Sequence, residues 1–182
     1  MSHIGNLLAI GVGAVALGTM MNTVPDYNAS FQPIAVSADS ENLADARLFK
    51  AKLLSLKTAD VISFVQFGKE VSRDTSAVFL VAELSITGQS ESRYLRAIWR
   101  GTTGRQYSQS TRTEDAPHEL SGARFEPGLT DRVIAIFELP PDEIVGGRLG
   151  VLPRGVAVGD SIVHFAIADT MPEKHALLRL EP

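Results

Sequence analysis

The first 46 residues contain no Lys or Arg, and from Ile4 to Val24 the chain is one nearly unbroken apolar run. About 20 such residues in a helix span the hydrocarbon core of a bilayer, at about 1.5 Å of rise per residue. Only Asn6, Thr19, Asn22 and Thr23 interrupt the run, mostly near its ends. A helix satisfies its own backbone groups and so suits that environment. Residues 1–24 are therefore expected to form one N-terminal transmembrane helix or signal-anchor, with the membrane as a partner through residues 4–24.

Two other readings of the run are weaker. A cleaved signal peptide wants a positive n-region, a shorter apolar core and a small-residue cleavage site. Here the n-region is Met1-Ser2-His3, and only Ala14-Val15-Ala16 offers such a site. Gly11-Val12-Gly13-Ala14-Val15-Ala16 matches a dinucleotide-binding glycine fingerprint, with Asp39 or Glu41 at roughly the right distance. The helix it would open is apolar throughout and stops at Pro25, and no second parallel strand follows. That fingerprint is rejected. Gly5, Ala9 and Gly13 recur every fourth position, a stripe through which two membrane helices could approach. Glycine and alanine are common in membrane spans, so composition explains the stripe first and self-association second.

The first cation is Arg47, after Asp26, Asp39, Glu41 and Asp45. Cytoplasmic flanks collect Lys and Arg, so a flank without them is expected outside. The expected location is a single-pass inner (cytoplasmic) membrane protein with its domain facing the periplasm or exterior. Residues 25–44 mix turn formers with short apolar pairs and read as a linker. Asn28-Ala29-Ser30 is a glycosylation sequon that counts only in a eukaryotic secretory setting.

From 45 to 170 the hydrophobic period is two. Leu48 to Leu56, Val61 to Phe67, Ser76 to Thr87, Arg93 to Arg100, Asp131 to Leu139, Arg148 to Leu152 and Ser161 to Ala168 all read as strands, with glycine and proline at the breaks. Short strands of this kind, with no convincing helical pattern among them, predict an all-β fold, an antiparallel β-sandwich. Trp99, Phe79 and Phe137 fall on the inward side of that alternation. Residues 171–182 read as a C-terminal tail.

Three stretches carry a family resemblance. They are Val78-Phe79-Leu80-Val81-Ala82-Glu83-Leu84-Ser85-Ile86-Thr87 before Gly88-Gln89-Ser90, Tyr94 to Arg100 leading to Gly104-Arg105-Gln106-Tyr107, and Phe125-Glu126-Pro127-Gly128-Leu129 before Val133 to Pro140. Together they resemble the immunoglobulin-like domains of the DUF4352 type, found in bacterial envelope and secreted proteins, over roughly Ala46 to Leu152. The resemblance implies an immunoglobulin-like sandwich outside the cytoplasmic membrane and supplies no catalytic residues. This chain lacks the lipidated cysteine of many members, since it has no cysteine at all.

The absence of cysteine also excludes a disulfide scaffold, a thiolate metal site and a cysteine nucleophile. A net charge of -4 argues against nucleic acid as a partner, which needs a clustered basic surface. His3, His118, His164 and His175 show no metal-site spacing, and His164 reads as a sheet histidine. Glu114-Asp115 and Asp142-Glu143 read as solvated loop charges, and no Gly-x-Ser-x-Gly elbow supports a serine nucleophile. No catalytic, cofactor or metal residues are assigned, and the chain is not expected to be an enzyme.

One constellation remains. Tyr94, Arg96 and Arg100 share a strand face, with Arg93, Arg105, Arg112, Trp99 and Tyr107 nearby. Arginine and aromatic residues are enriched in binding hot spots, whereas cross-strand arginine–carboxylate pairing on a solvated sheet would look the same in sequence. The expectation is a non-enzymatic protein-interaction or scaffold module of the cell envelope, with an envelope protein as partner and Tyr94, Arg96 and Arg100 as its docking surface. A periplasmic small-ligand-binding module is the alternative.

Overall fold

The computed structural model describes residues 3–23, 33–155, 160–167 and 170–181. The chain divides into two units, Met1–Gln32 and Pro33–Pro182. The first holds helix α1 (His3–Thr23), uncharged in its first and last turns. Ile10, Val12, Val15, Leu17, Met20 and Met21 are exposed on it, and the Thr19 hydroxyl donates back to the Val15 and Ala16 carbonyls. Among the described residues no helix is long and apolar enough to cross a membrane. The sequon at Asn28 lies outside the described residues.

The second unit contains eleven strands among the described residues. They are β1 (Ile34–Ser37), β2 (Leu43–Asp45), β3 (Phe49–Gln66), β4 (Lys69–Gly88), β5 (Arg93–Arg100), β6 (Gln106–Ser108), β7 (Arg124–Phe125), β8 (Thr130–Leu139), β9 (Arg148–Pro153), β10 (Ser161–Ala166) and β11 (Glu173–Leu180). One sheet runs β1-β10-β9-β5-β6, with β7 also on β5. The other runs β11-β3-β4-β8, with β2 also on β3. The expected sandwich is present. Short 3-10 turns at Thr111–Thr113, Leu120–Gly122 and Pro141–Glu143 are the other helical elements described.

Three expectations change. Residues 34–37 of the linker are a strand and 43–44 begin another, Leu43–Asp45, and the tail at 173–180 is a strand of eight residues. The sheets are also not wholly antiparallel, because β1 pairs parallel with β10 and β11 parallel with β3. Parallel neighbours need a long crossover, not a tight turn, and for these two strands most of the domain serves as that crossover. Finally, the strands read at 48–56 and 61–67 are one strand, β3, with register shifts at Leu53/Ser55 and Ala59/Val61. The hairpin to β4 turns at Phe67 and Gly68, both at positive φ, and leaves the Phe67 ring 96% exposed.

Alternation fills the space between the sheets. Leu80, Ala82, Leu84 and Ile86 of β4 and Val133, Ala135 and Phe137 of β8 meet Leu95, Ala97 and Trp99 of β5, all buried. Trp99 and Phe137 therefore point inward as expected. Phe79 does not join them. It pairs in register with Glu138, one residue from Phe137, so it faces the opposite side of its sheet. There it is fully buried in a second cluster with Ile62, Phe64, Val81, Ala116 and Ile136. The loop carrying Ala116 covers this side, which makes both faces of β4 apolar and hides the usual one-sided pattern.

Candidate functional site

On β5 the alternation is clean. Leu95, Ala97 and Trp99 are buried, Tyr94, Arg96 and Arg100 are exposed, and Ile98 between the arginines is half-buried. The expected shared face is therefore real, and it is the outer face of the first sheet. Register then adds residues from other strands. Arg96 stands opposite Leu152, Ile98 opposite Gly150, and Arg100 opposite Arg148. Gly150 in turn faces His164, which faces Ser37. The face thus carries one row of Ile98, Gly150, His164 and Ser37, flanked by a row with two arginines and a row with Arg96.

The charge on this sheet is one-sided. Its strands contain Arg93, Arg96, Arg100, Arg124 and Arg148 and no Asp or Glu. Arg93 and Arg124 reach Glu91 and Glu126 just beyond the strand ends, at 2.6 and 3.1 Å. Among the described residues Arg96, Arg100 and Arg148 make no ion pair. A depression of about 470 Å³ beside Arg96 is bordered by Gln109, Glu114 and Arg154. The second sheet contrasts with this, since Lys50–Asp45, Arg132–Glu83, Lys174–Asp60 and Arg112–Glu138 are paired at 2.7–3.0 Å. Lys52, Lys57 and Lys69 of the second sheet make no ion pair among the described residues either, so the difference lies in the acids, which the second sheet carries and the strands of the first lack.

His164 registers the excess. Burial first, and then Arg148 and Arg100, push its imidazole below the ordinary histidine value. Its Nδ1 is buried without a hydrogen-bond partner. Gly150, across from it, is covered by its neighbours, because a Cβ there would sit 2.9 Å from Ile98 Cγ1 and 3.2 Å from Ile162 Cδ1.

Two buried carboxylates escaped the sequence. Glu143, expected in solvent beside Asp142, is 2% exposed, although Asp142 is exposed as expected. The Thr103 hydroxyl and amide donate to it, and these bonds hold its carboxyl below the ordinary glutamate range. The Glu143 carbonyl accepts the Trp99 indole N–H at 2.8 Å. Glu119 is 6% exposed, and accepts from Gln109 Nε2, from the Ser121 hydroxyl and from the Ser121 amide at 2.8 Å. Gln109 Oε1 accepts the Ala97 amide at 2.7 Å, so this network closes the edge of β5 that β6 leaves open. Both carboxylates hold backbone in place, and no local pattern distinguishes them from solvated acids.

Burial pushes the Glu119 carboxyl up from its ordinary value of 4.5. The folded chain therefore holds this proton more tightly than the unfolded chain does. The stability from this group is highest at low pH and falls as pH rises from the ordinary value through the folded one. Glu119→Gln removes the titration, so urea melts should show the variant gaining on the parent as pH rises through that window. A difference that does not vary with pH would refute the assignment.

The outer face of the second sheet carries a groove of about 850 Å³, lined among others by Lys57, Glu83, His118, Arg132 and Leu178. Glu83 there is held by Ser55 at 3.0 Å and Arg132 at 2.7 Å. No group of His, Asp or Glu among the described residues could hold a metal ion.

No family model matches the chain, and no curated protein matches it. Among solved structures, the yjhA protein from Bacillus subtilis is similar with a TM-score of 0.50 at 12% identity, over 71% of this chain and 99% of that one. An uncharacterized β-sandwich protein from Clostridium difficile 630 gives a TM-score of 0.49 at 10% identity, over 75% and 96%. The first of these likenesses carries the fold alone. The resemblance to the DUF4352 type rests on the strand patterns that suggested it.

Proposed function

We propose that the chain is a non-enzymatic interaction module of the cell envelope, tethered to the cytoplasmic membrane by residues 4–24, with its immunoglobulin-like sandwich outside. Tyr94, Arg96 and Arg100 are its docking surface for a protein partner. One observation carries the docking reading: exposed arginines without carboxylate partners lie on a sheet whose strands contain no acid. The tether reading draws support from a 21-residue helix free of Asp, Glu, Lys and Arg, and from the lack of any cation before Arg47. The DUF4352 resemblance favours the same location. The groove beneath His118 supports a second reading, a small-ligand module, although Glu83 within it is already occupied by its neighbours.

The test is purification of the full chain from detergent-solubilised membranes, with the captured proteins identified. The double variant Arg96→Ala, Arg100→Ala should keep the parent's thermal stability, because exposed charges contribute only about 0–1 kcal/mol. It should lose capture at least tenfold, since a truncated hot-spot arginine typically costs about 2 kcal/mol or more. Alkaline phosphatase fused after Pro182 should be active. Unchanged capture would remove this face from consideration, and an inactive fusion would reverse the orientation.

A further inference from the structure

The outer face of the first sheet holds more positive charge than Tyr94, Arg96 and Arg100 account for. Arg148 on β9 stands directly across from Arg100 on β5. Both side chains are exposed and free of ion pairs among the described residues. Like charges directly opposite on neighbouring strands repel, so the fold gains nothing from having both. His164 on β10 sits in the next row, between Ser37 of β1 and Gly150 of β9 and within electrostatic reach of Arg148 and Arg100. No carboxylate lies on any of these strands. Such a face is complementary to negative charge that comes from outside.

The layout along the face narrows the source. Arg96 and Arg100 are four residues apart on one strand, about 13 Å at about 3.3 Å per residue. Between them lies Ile98, whose side chain covers Gly150 together with that of Ile162, and Leu152 stands directly across from Arg96. Leu152 and Ile162 are each only 8% exposed. A bilayer surface is met by apolar groups that protrude past their cations, whereas these are sunk below them. A single small anion would fill one end and leave the other uncompensated. An extended polypeptide fits the whole, because its side chains on one side repeat every second residue. An acidic residue at either end and an apolar residue midway between them then fall on the three parts of the face.

We propose that this face binds an extended acidic segment of a protein partner, with carboxylates on Arg96 at one end and on the Arg100–Arg148 pair at the other, and an apolar side chain seated over Ile98 and Ile162. This rests on the docking reading above and names the chemistry of the partner. Arginine suits the role because its planar fork takes a carboxylate through two hydrogen bonds.

The test is fluorescence polarisation of the full chain, in a neutral detergent at low salt, with a labelled nonapeptide. The peptide carries a central leucine with a glutamate two positions to either side. Glutamine in place of both glutamates should weaken binding at least tenfold, and so should Arg148→Ala or Arg100→Ala alone. Lys174→Ala, which removes an equal charge from the second sheet, should leave binding unchanged. The ring resonances of His164 should move on titration with the glutamate peptide and not with the glutamine one. Equal binding of the two peptides, or full binding by Arg148→Ala, would overturn the proposal. Inorganic phosphate binding as tightly as the peptide would replace it with a small-anion site. Phosphatidylglycerol vesicles binding where the peptide does not would replace it with a membrane-contact face. If the peptide fails while partner capture still depends on Arg96 and Arg100, the acidic segment is wrong and the docking surface stands. If capture is also indifferent to those arginines, both fall.

Discussion

Trp99→Ala is expected to cost about 3–5 kcal/mol, as large-to-small changes of aromatic residues in cores do. The side chain is fully buried among residues of both sheets. Its ring lies 6.2 Å from that of Phe137, tilted by 52°. Gly147 is shaped around it, since a Cβ there would sit 2.5 Å from Trp99 Cζ2. The indole N–H also fills the Glu143 carbonyl, which would be left buried without that donor. Small domains have only about 5–15 kcal/mol in hand, so the variant should unfold early in urea or not accumulate. Trp99→Phe should fall between, because it keeps most of the volume and loses the hydrogen bond. A loss below 1 kcal/mol for the alanine variant would mean that the two sheets do not meet at this ring.

The second large effect is expected at Gly88, where β4 ends against the loop that leads into β8. A Cβ there would lie 2.4 Å from the Glu126 carbonyl oxygen and 2.7 Å from its carbon. Backbone cannot rotate away as a side-chain end can. The same contact is tied by the Gly88 amide to the Leu129 carbonyl at 3.2 Å and by the Gly128 amide to the Gly88 carbonyl at 2.9 Å. Overpacking of this kind costs about 1–3 kcal/mol and at times more, and the rigid neighbour places Gly88→Ala near the upper end. Denaturant melts measure the loss, and faster amide exchange at Gly128 would locate it. Parent-like stability with unchanged exchange would show that the loop yields freely.

Much of the sandwich was legible because β5 alternates between a core face and an exposed one and β8 and β10 do so over part of their length, whereas β9, buried at every position after Arg148, shows as a strand only by its composition. What failed has local causes. β3 looked like two strands because its register shifts break the period at Leu53/Ser55 and Ala59/Val61. β1, β2 and β11 lie at sheet edges with much of both faces exposed, so their residues show little contrast to read. Phe79 was placed in the wrong cluster because β4 is apolar on both sides. The candidate surface was half visible. One strand's pattern put Tyr94, Arg96 and Arg100 together, but Arg148 and His164 join them only through cross-strand register, which no single segment encodes. Asp142 and Glu143 are adjacent and chemically alike, yet one is in solvent and the other is enclosed by a turn some forty residues earlier in the chain.

The two parallel edge strands also bear on the order in which this chain is made. β1 is made long before its partner, β10, and β3 must wait for β11. The β3–β4 hairpin, by contrast, joins neighbours through a two-residue turn and forms without delay. Contacts between distant segments slow folding, and unpaired strand edges in a growing chain invite association with other chains. The edge of β3 open during that interval carries Ala59, Val61, Ile62 and Phe64 beside Lys57 and Thr58, an apolar stretch of the kind that charged groups at an edge otherwise guard. The second sheet can close at the edge of β3 only when Glu173–Leu180 has left the ribosome, and a chain without that strand would present the edge permanently.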